Sequence, residues 1–149
     1  MKDYLRDYAT EAFRFYARCG KPTYEEMRKS IYNAALQSSR RELQGIRTGF
    51  GDPTGQAVIN ANAAVDEMEG QLLDILAVEN ALQQLRLEIY KAVDIVYFTD
   101  AKFDLERGDI EDRVHVAELE IPASRAQIYR WLKRARVVFA RERGLRLSG

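Results

Sequence analysis

The sequence contains very little of what metal sites and disulfides require. Of its 149 residues, one is a cysteine, Cys19, and one is a histidine, His115. A single cysteine excludes a disulfide within the chain, and two such residues far apart do not form a metal-ligand cluster. We therefore expect no metal and no other cofactor. His115 is expected at the surface or boundary of a helix.

Long apolar runs are missing as well. No stretch approaches the ~20 apolar residues of a membrane span, and the basic-then-apolar profile of a signal peptide is not seen. We therefore expect a cytoplasmic protein with no membrane contact. Hydrophobic residues make up 46% of the chain and charged residues 31%, which predicts one globular domain, or a small domain with an extended helical part.

Groups of residues typical of catalysis cannot be recognised by their spacing. The sequence shows no paired acid group and no Ser/His/Asp or Cys/His arrangement. Gly45, Gly49 and Gly51 lie close together, but the spacing and the lysine of a phosphate-binding loop are not there. The sequence therefore predicts a protein that is not an enzyme.

Apolar residues at helical spacing dominate the sequence, which predicts an all-α fold. Residues 1–19 are predicted to form the first helix. Thr23 and Glu26 have the spacing of a capping box and predict the start of a second helix. We group these helices as an N-terminal helical region, 1–44, followed by a glycine-rich loop at 45–53.

Residues 54–98 are predicted to form one long central helix. Its apolar residues alternate every three and four positions, as in a coiled coil, and Gly70 permits a break without requiring one. Such a stripe has to be covered, so we expect a homo-oligomer. The residues expected at its interface are Val65, Met68, Leu72, Ile75 and Leu82. The alternative is a bent pair of helices in an ordinary bundle.

The C-terminal part has the pattern of two helices joined by a short turn. Val114, Ala117 and Ile121 recur at helical spacing, and Pro122-Ala123 ends that segment because proline disfavours a continuing helix. Ser124 and Gln127 have the spacing of a second capping box, which predicts the start of a final helix. The apolar stripe predicted for that helix consists of Ile128, Leu132, Ala135 and Phe139.

A helix-turn-helix with a basic second helix is typical of proteins that read DNA. We therefore predict that residues 85–149 form such a DNA-binding domain, sharing the end of the long helix. The plainer alternative is a basic surface helix of an ordinary all-α domain.

Charge is strongly sorted in this part of a chain whose net charge is zero. From Ile121 to Gly149 eight basic residues stand against one acid, a net charge of +7, whereas from Thr99 to Glu120 three bases stand against eight acids, a net charge of −5. Such sorting favours a face that binds a polyanion, which we predict to be double-stranded DNA. The predicted contact residues are Ser124, Arg125, Gln127, Tyr129, Arg130, Lys133, Arg134, Arg136 and Arg141.

Three features also occur in a set order. Asp52-Pro53-Thr54 begins a helix after the glycine-rich loop, a long helix ends in Ile89-Tyr90 and Ile95-Val96-Tyr97-Phe98, and the closing helix contains Ile128-Tyr129-Arg130-Trp131-Leu132. This order resembles the phage and prophage late-gene transcriptional regulators of the RinA and ArpU type, whose C-terminal part is similar to region four of bacterial sigma factors. The turn at Pro122-Ala123 is longer than the family's usual turn.

The resemblance implies a sequence-specific activator that acts on a promoter beside RNA polymerase. It implies recognition-helix positions for Arg125, Gln127, Arg130 and Lys133, and a backbone contact for Tyr129. The acidic segment Asp100–Glu120 is then the candidate for the polymerase contact.

Two other functions fit parts of the pattern. A DNA-packaging subunit such as a phage small terminase also joins a helix-turn-helix to an oligomerising helical region, but usually carries the DNA-binding part first. A purely structural coiled-coil adaptor would leave the basic C-terminal segment unexplained.

Overall fold

The computed structural model describes residues 3–44 and 53–146, and within these ranges the fold is all-helical, without strands. The predicted fold class is therefore confirmed. Apart from Pro53, the predicted glycine-rich loop lies outside the described residues. The helices are α1 Tyr4–Arg18, α2 Tyr24–Gln44, α3 Pro53–Glu67, α4 Glu69–Gln83, α5 Leu87–Val93 with a π-helical turn Asp94–Phe98, α6 Asp109–Glu120 and α7 Arg125–Arg143.

The starts of the first helices follow from local hydrogen bonding. The Asp3 carboxylate accepts a hydrogen bond from the Arg6 amide at 3.0 Å, and the Thr23 hydroxyl accepts one from the Glu26 amide at 3.1 Å. Each bond satisfies an amide of the first turn that has no partner within the helix. The capping box predicted at Thr23 is therefore confirmed on its Thr23 side.

The chain divides into two compact units. The inserted unit is Pro22–Ile75, and the main unit consists of Met1–Lys21 together with Leu76–Gly149. In the inserted unit, α2 packs along α3. In the main unit, α1 packs on α7 and on the π-helical turn. The helix α6 also packs on α7 and on the π-helical turn.

The position of α1 differs from the predicted N-terminal region 1–44, because α1 belongs to the main unit and α2 to the inserted unit. The reason is an aromatic cluster. Phe13 is completely buried, with ring centroids 5.6 Å from Tyr97 and 5.7 Å from Phe139. The large apolar area of these rings ties α1 to residues that lie more than eighty positions away.

The prediction of a single helix over residues 54–98 is wrong, because three α-helices and a π-helical turn occupy this range. At Met68 the interruption is slight, because the amides of Met68 and Leu72 still bond four residues back, at 3.2 and 3.0 Å. The second interruption is complete: the Gln84 amide bonds only three residues back, to Ala81, and Arg86 has extended backbone. The Leu85 amide also bonds three residues back, to Leu82 at 3.3 Å, and the guanidinium of the extended Arg86 lies over the ring of Trp131, 5.9 Å from its centroid. Gly70 lies inside α4 and breaks nothing.

The predicted oligomer stripe is largely covered by the chain itself. Val65, Leu72 and Ile75 are buried, with 8%, 2% and 0% of their surface exposed, while Met68 and Leu82 are half-buried. Self-association was expected because this stripe would otherwise lie in water. For the three buried residues that premise does not hold.

A buried arginine holds the end of the π-helical turn. Arg14 is 1% exposed, and its guanidinium donates hydrogen bonds to the carbonyls of Tyr97 at 3.3 Å, Asp100 at 3.2 Å and Phe103. The last carbonyls of a helix have no partner within it, and arginine carries five donors with which to satisfy them. Burial lowers the pKa of the Arg14 guanidinium from its ordinary value, and the nearby charge of Arg113 lowers it further.

Arg113 of α6 serves the neighbouring carbonyls in the same way. Its guanidinium donates to Val96 at 3.0 Å and to Thr99. The chain then passes through Asp100 in the left-handed region, with φ at 49°. The two arginines thus fix the segment that leads from the π-helical turn into α6 from both sides.

We expect Arg14→Met to lower the free energy of unfolding by about 3 kcal/mol or more, because it leaves three carbonyls with fewer partners in a buried site. The matched control is Arg18→Met, one turn further along α1. Arg18 is partly exposed and reaches a single carbonyl, that of Ala101 at 3.3 Å, beside an ion pair with Glu11. Its replacement is expected to cost less than about 1 kcal/mol. Urea unfolding of both variants measures this, and equal losses would contradict the assigned role of Arg14.

Candidate nucleic-acid interface

The C-terminal part of the main unit consists of α6, a link of four residues and α7. Val114 and Ala117 of α6 are fully buried, as is nearly all of Ile121, which ends the helix in extended backbone. The predicted pattern of helix, short turn and helix is therefore observed. His115 is exposed, as predicted.

Both ends of α7 are closed by local hydrogen bonds. The Ser124 hydroxyl accepts a hydrogen bond from the Gln127 amide at 3.2 Å. At the other end Gly144 has φ at 78°, and the Leu145 amide bonds to the Ala140 carbonyl at 2.9 Å. A glycine in this conformation is a common helix terminator. The 19 residues between these caps form a rod about 28 Å long.

The rotation of α7 about its axis is set by its apolar stripe. All four residues predicted for that stripe are at most 1% exposed, namely Ile128, Leu132, Ala135 and Phe139. α7 packs on α1, α5 and α6 through its buried side. Because a helix held in this way cannot turn, the residues on its opposite side point into solvent.

Four predicted contact residues share that opposite side. Arg130, Lys133, Arg134 and Arg141 are all exposed, and their spacing of three, four and eleven positions places them along one face of a helix. We call this group the cationic face. It extends about 17 Å along the helix. In the part of the chain that the structure describes, none of the four forms an ion pair. Their charges are therefore available to an external anion.

Three other predicted residues lie at the start of α7 and have partners there or are partly covered. Ser124 serves as the helix cap, and Gln127 is half-buried. The Arg125 guanidinium lies 3.7 Å from a carboxylate oxygen of Glu118, which is also 3.5 Å from His115. Such an exposed ion pair is weak, so Arg125 can leave Glu118 for another anion. Unlike the residues of the cationic face, however, it has an ion-pair partner.

Tyr129 and Arg136 lie at the edge of the cationic face, four residues before and three residues after Lys133. The Arg136 guanidinium donates a hydrogen bond to the Tyr97 hydroxyl at 2.8 Å. Both side chains line a cavity on another side of α7. Arg136 thus has a contact within the main unit, and the DNA contact predicted for it stays a prediction.

Two residues of this surface were not identified from the sequence. The Arg86 guanidinium lies over the ring of Trp131, 5.9 Å from its centroid, which adds a cation beside α7. Only the interruption between α4 and α5 brings it there, and the predicted long helix hid this. Ala126 is exposed four residues before Arg130, on the same face. Its spacing alone would have placed it there.

The outer face of α6 has the opposite charge. Glu111, Asp112 and Glu120 are exposed, together with Val116 at 44% and Leu119 at 76%. The sorting of charge along the sequence is therefore also a sorting between helices. A polyanion is attracted to α7 and repelled by the exposed side of α6.

No cluster of three or more histidine, cysteine, aspartate or glutamate side chains is arranged to hold a metal ion among residues 3–44 and 53–146. Over the same ranges, none of the helices has the length and apolar character needed to cross a membrane.

No family model, no curated protein and no solved structure matches this chain. The resemblance to late-gene regulators therefore stays a prediction, and the case for function depends on the geometry of α6 and α7.

We expect Lys133→Gln and Arg134→Gln each to weaken binding to random-sequence duplex DNA and to make the dependence of log affinity on log salt shallower by about one unit. Each lost phosphate contact releases about one counterion fewer. Arg107→Gln removes the same charge at an exposed position outside α7 and serves as the control. Fluorescence anisotropy at several salt concentrations measures both quantities. If the control loses as much as the two α7 variants, the cationic face is not the contact surface.

Proposed function

We propose that this protein is a sequence-specific, double-stranded DNA-binding regulator of transcription, with α7 as the helix that enters the major groove. The observation that carries the proposal is the cationic face: four exposed cations without ion-pair partners among the described residues, on one side of a helix whose other side is buried. A helix about 28 Å long with this charge fits the major groove, which is about 12 Å wide.

The proposed division of labour within the cationic face follows position along α7. Arg130 lies in the first half of the helix, near the end that reads base edges in helix-turn-helix proteins. Arginine there can pair with guanine through two hydrogen bonds. Ala126, one turn earlier, is small and apolar and suits a thymine methyl group. Arg141 lies near the end of α7, where contacts with phosphates are expected.

The resemblance to late-gene activators suggests a second partner, RNA polymerase. The exposed side of α6 supports this part of the proposal. Asp112, Val116, Leu119 and Glu120 recur at helical spacing, so two large apolar side chains lie in water between carboxylates. An apolar pair with an acidic rim suits a protein partner that has a basic surface. DNA is an unsuitable partner for this side.

The competing proposal is a DNA-packaging subunit of the small-terminase type. It shares the cationic face, and it differs in what the rest of the molecule does. A packaging subunit assembles into rings of many copies, whereas the proposed activator changes transcription from a promoter. The order of the parts favours the regulator, because the proposed DNA-binding helix α7 follows the other helices.

Arg130→Ala is expected to lower affinity for a specific site by about 1–3 kcal/mol while barely changing affinity for scrambled DNA, because a lost base contact removes discrimination. The site is first selected from a random duplex library with the wild-type protein. Arg141→Ala is the matched comparison and is expected to weaken binding to both DNAs alike. Equal losses on both DNAs for Arg130→Ala would mean that α7 contacts only the phosphate backbone of the DNA, and the regulator proposal would then fail.

Leu119→Asp is expected to abolish promoter-dependent activation with purified bacterial RNA polymerase while DNA affinity stays unchanged. The substitution places a charge in the centre of the exposed apolar pair without touching the buried side of α6. Glu111→Gln, on the same helix, is the control. Transcription that is unaffected by wild-type protein, together with ring-shaped particles in electron micrographs, would decide for the packaging subunit.

A further inference from the structure

A cavity with a volume of about 500 Å³ opens between α1, the start of α6 and α7. Its size falls within the range of roughly 300–1,000 Å³ that is usual for small-molecule sites. The apolar part of its wall is formed by Leu105, Ile110 and Leu132, with the ring of Tyr129 beside them. The polar part is formed by Thr10, Tyr97 and Arg136, together with three charged residues of α1.

Not every charged side chain around the cavity has an ion-pair partner. Arg6 is paired with Asp7 at 3.4 Å, and Glu11 is paired with Arg18. Arg136 is half-buried and donates one hydrogen bond to the neutral Tyr97 hydroxyl. Within the described part of the chain, no carboxylate forms an ion pair with it. The Arg136 guanidinium therefore has no carboxylate within ion-pair distance among the described residues, although Asp7 and Glu11 line other parts of the wall.

We propose that this cavity binds a small organic monoanion, an aromatic carboxylate, whose carboxylate pairs with Arg136 and whose ring lies against Tyr129, Leu132 and Ile110. A guanidinium recognises a carboxylate through two parallel hydrogen bonds. A ring of this size suits the apolar wall. A dianion such as phosphate suits the site poorly, because Asp7 and Glu11 also line the cavity and repel a second negative charge.

The site is separate from the cationic face, and the inference does not depend on DNA binding. Arg136 and Arg130 are six positions apart, which places them about 120° apart around the helix axis. A carboxylate held at Arg136 therefore leaves Arg130, Arg134 and Arg141 of the cationic face free. Binding at the cationic face and binding in the cavity are distinguishable by which residues respond.

The test uses the full chain and three probes, benzoate, phenylacetate and indole-3-acetate, each compared with its uncharged amide. At ten times its dissociation constant, a bound carboxylate is expected to raise the Tm by about 3 °C or more. Amide chemical shifts of Thr10, Ile110 and Tyr129 are expected to move with it. The amides are expected to bind at least about tenfold more weakly.

Two variants and one control locate the site. Arg136→Gln is expected to weaken carboxylate binding at least about tenfold, and Thr10→Phe, which fills the cavity without removing a charge, to abolish it. Arg134→Gln removes an equal charge from the cationic face, about 160° around the helix axis from Arg136, and is expected to bind like wild type. The proposal is overturned if no probe raises the Tm, if acids and amides bind equally, or if Arg134→Gln loses binding as Arg136→Gln does.

Discussion

The hydrogen bonds between the Arg14 guanidinium and the carbonyls of Tyr97, Asp100 and Phe103 are the constraint on which the main unit depends. They join α1 to the segment where α5 has ended and α6 has not begun. The start of α6 is thereby fixed, and through α6 the link that sets the entry of α7. Because a buried guanidinium is costly unless its donors are used, this site accepts one arrangement of the segment and disfavours others.

The helix caps and the buried stripe of α7 were predictable from the sequence, and the packing of α1 on α7 was not. The hydroxyls of Thr23 and Ser124 cap the helices that their spacing indicates, and the stripe from Ile128 to Phe139 is buried as its period predicts. These features depend on residues a few positions apart. The packing of α1 on α7, by contrast, depends on aromatic rings that only the tertiary structure brings together.

The candidate site shows the same limit. Helical spacing correctly put Arg130, Lys133, Arg134 and Arg141 on a side away from the apolar stripe. Arg136 was predicted together with them, although its place four residues after Leu132 puts it beside the apolar stripe. Its hydrogen bond to the Tyr97 hydroxyl follows only from the tertiary structure. Nor could helical spacing reveal Arg86, whose position over Trp131 follows from the interruption after α4. The apolar residues keep a regular spacing across this interruption, so the spacing could not reveal it. Where a helix ends also depends on contacts with residues that are distant in the sequence.

Charge and packing together account for the proposed function. The same burial that fixes the rotation of α7 leaves the cationic face without ion-pair partners among the described residues, and Glu111, Asp112 and Glu120 lie on the exposed side of α6. One helix is thus suited to a polyanion and the other to a protein. The cavity beside Arg136 lies on a third side of the main unit and is independent of both.

The central claim is that DNA meets this protein at the cationic face. The most direct measurement is an NMR titration of the labelled full chain with a short duplex, following the side-chain signals of arginine and lysine together with the backbone amides. The account predicts that the signals of Arg130, Lys133, Arg134 and Arg141 shift, while the amides around Leu119 on α6 stay in place. Shifts concentrated on α6 or in the inserted unit, or no shifts at low salt, would contradict it.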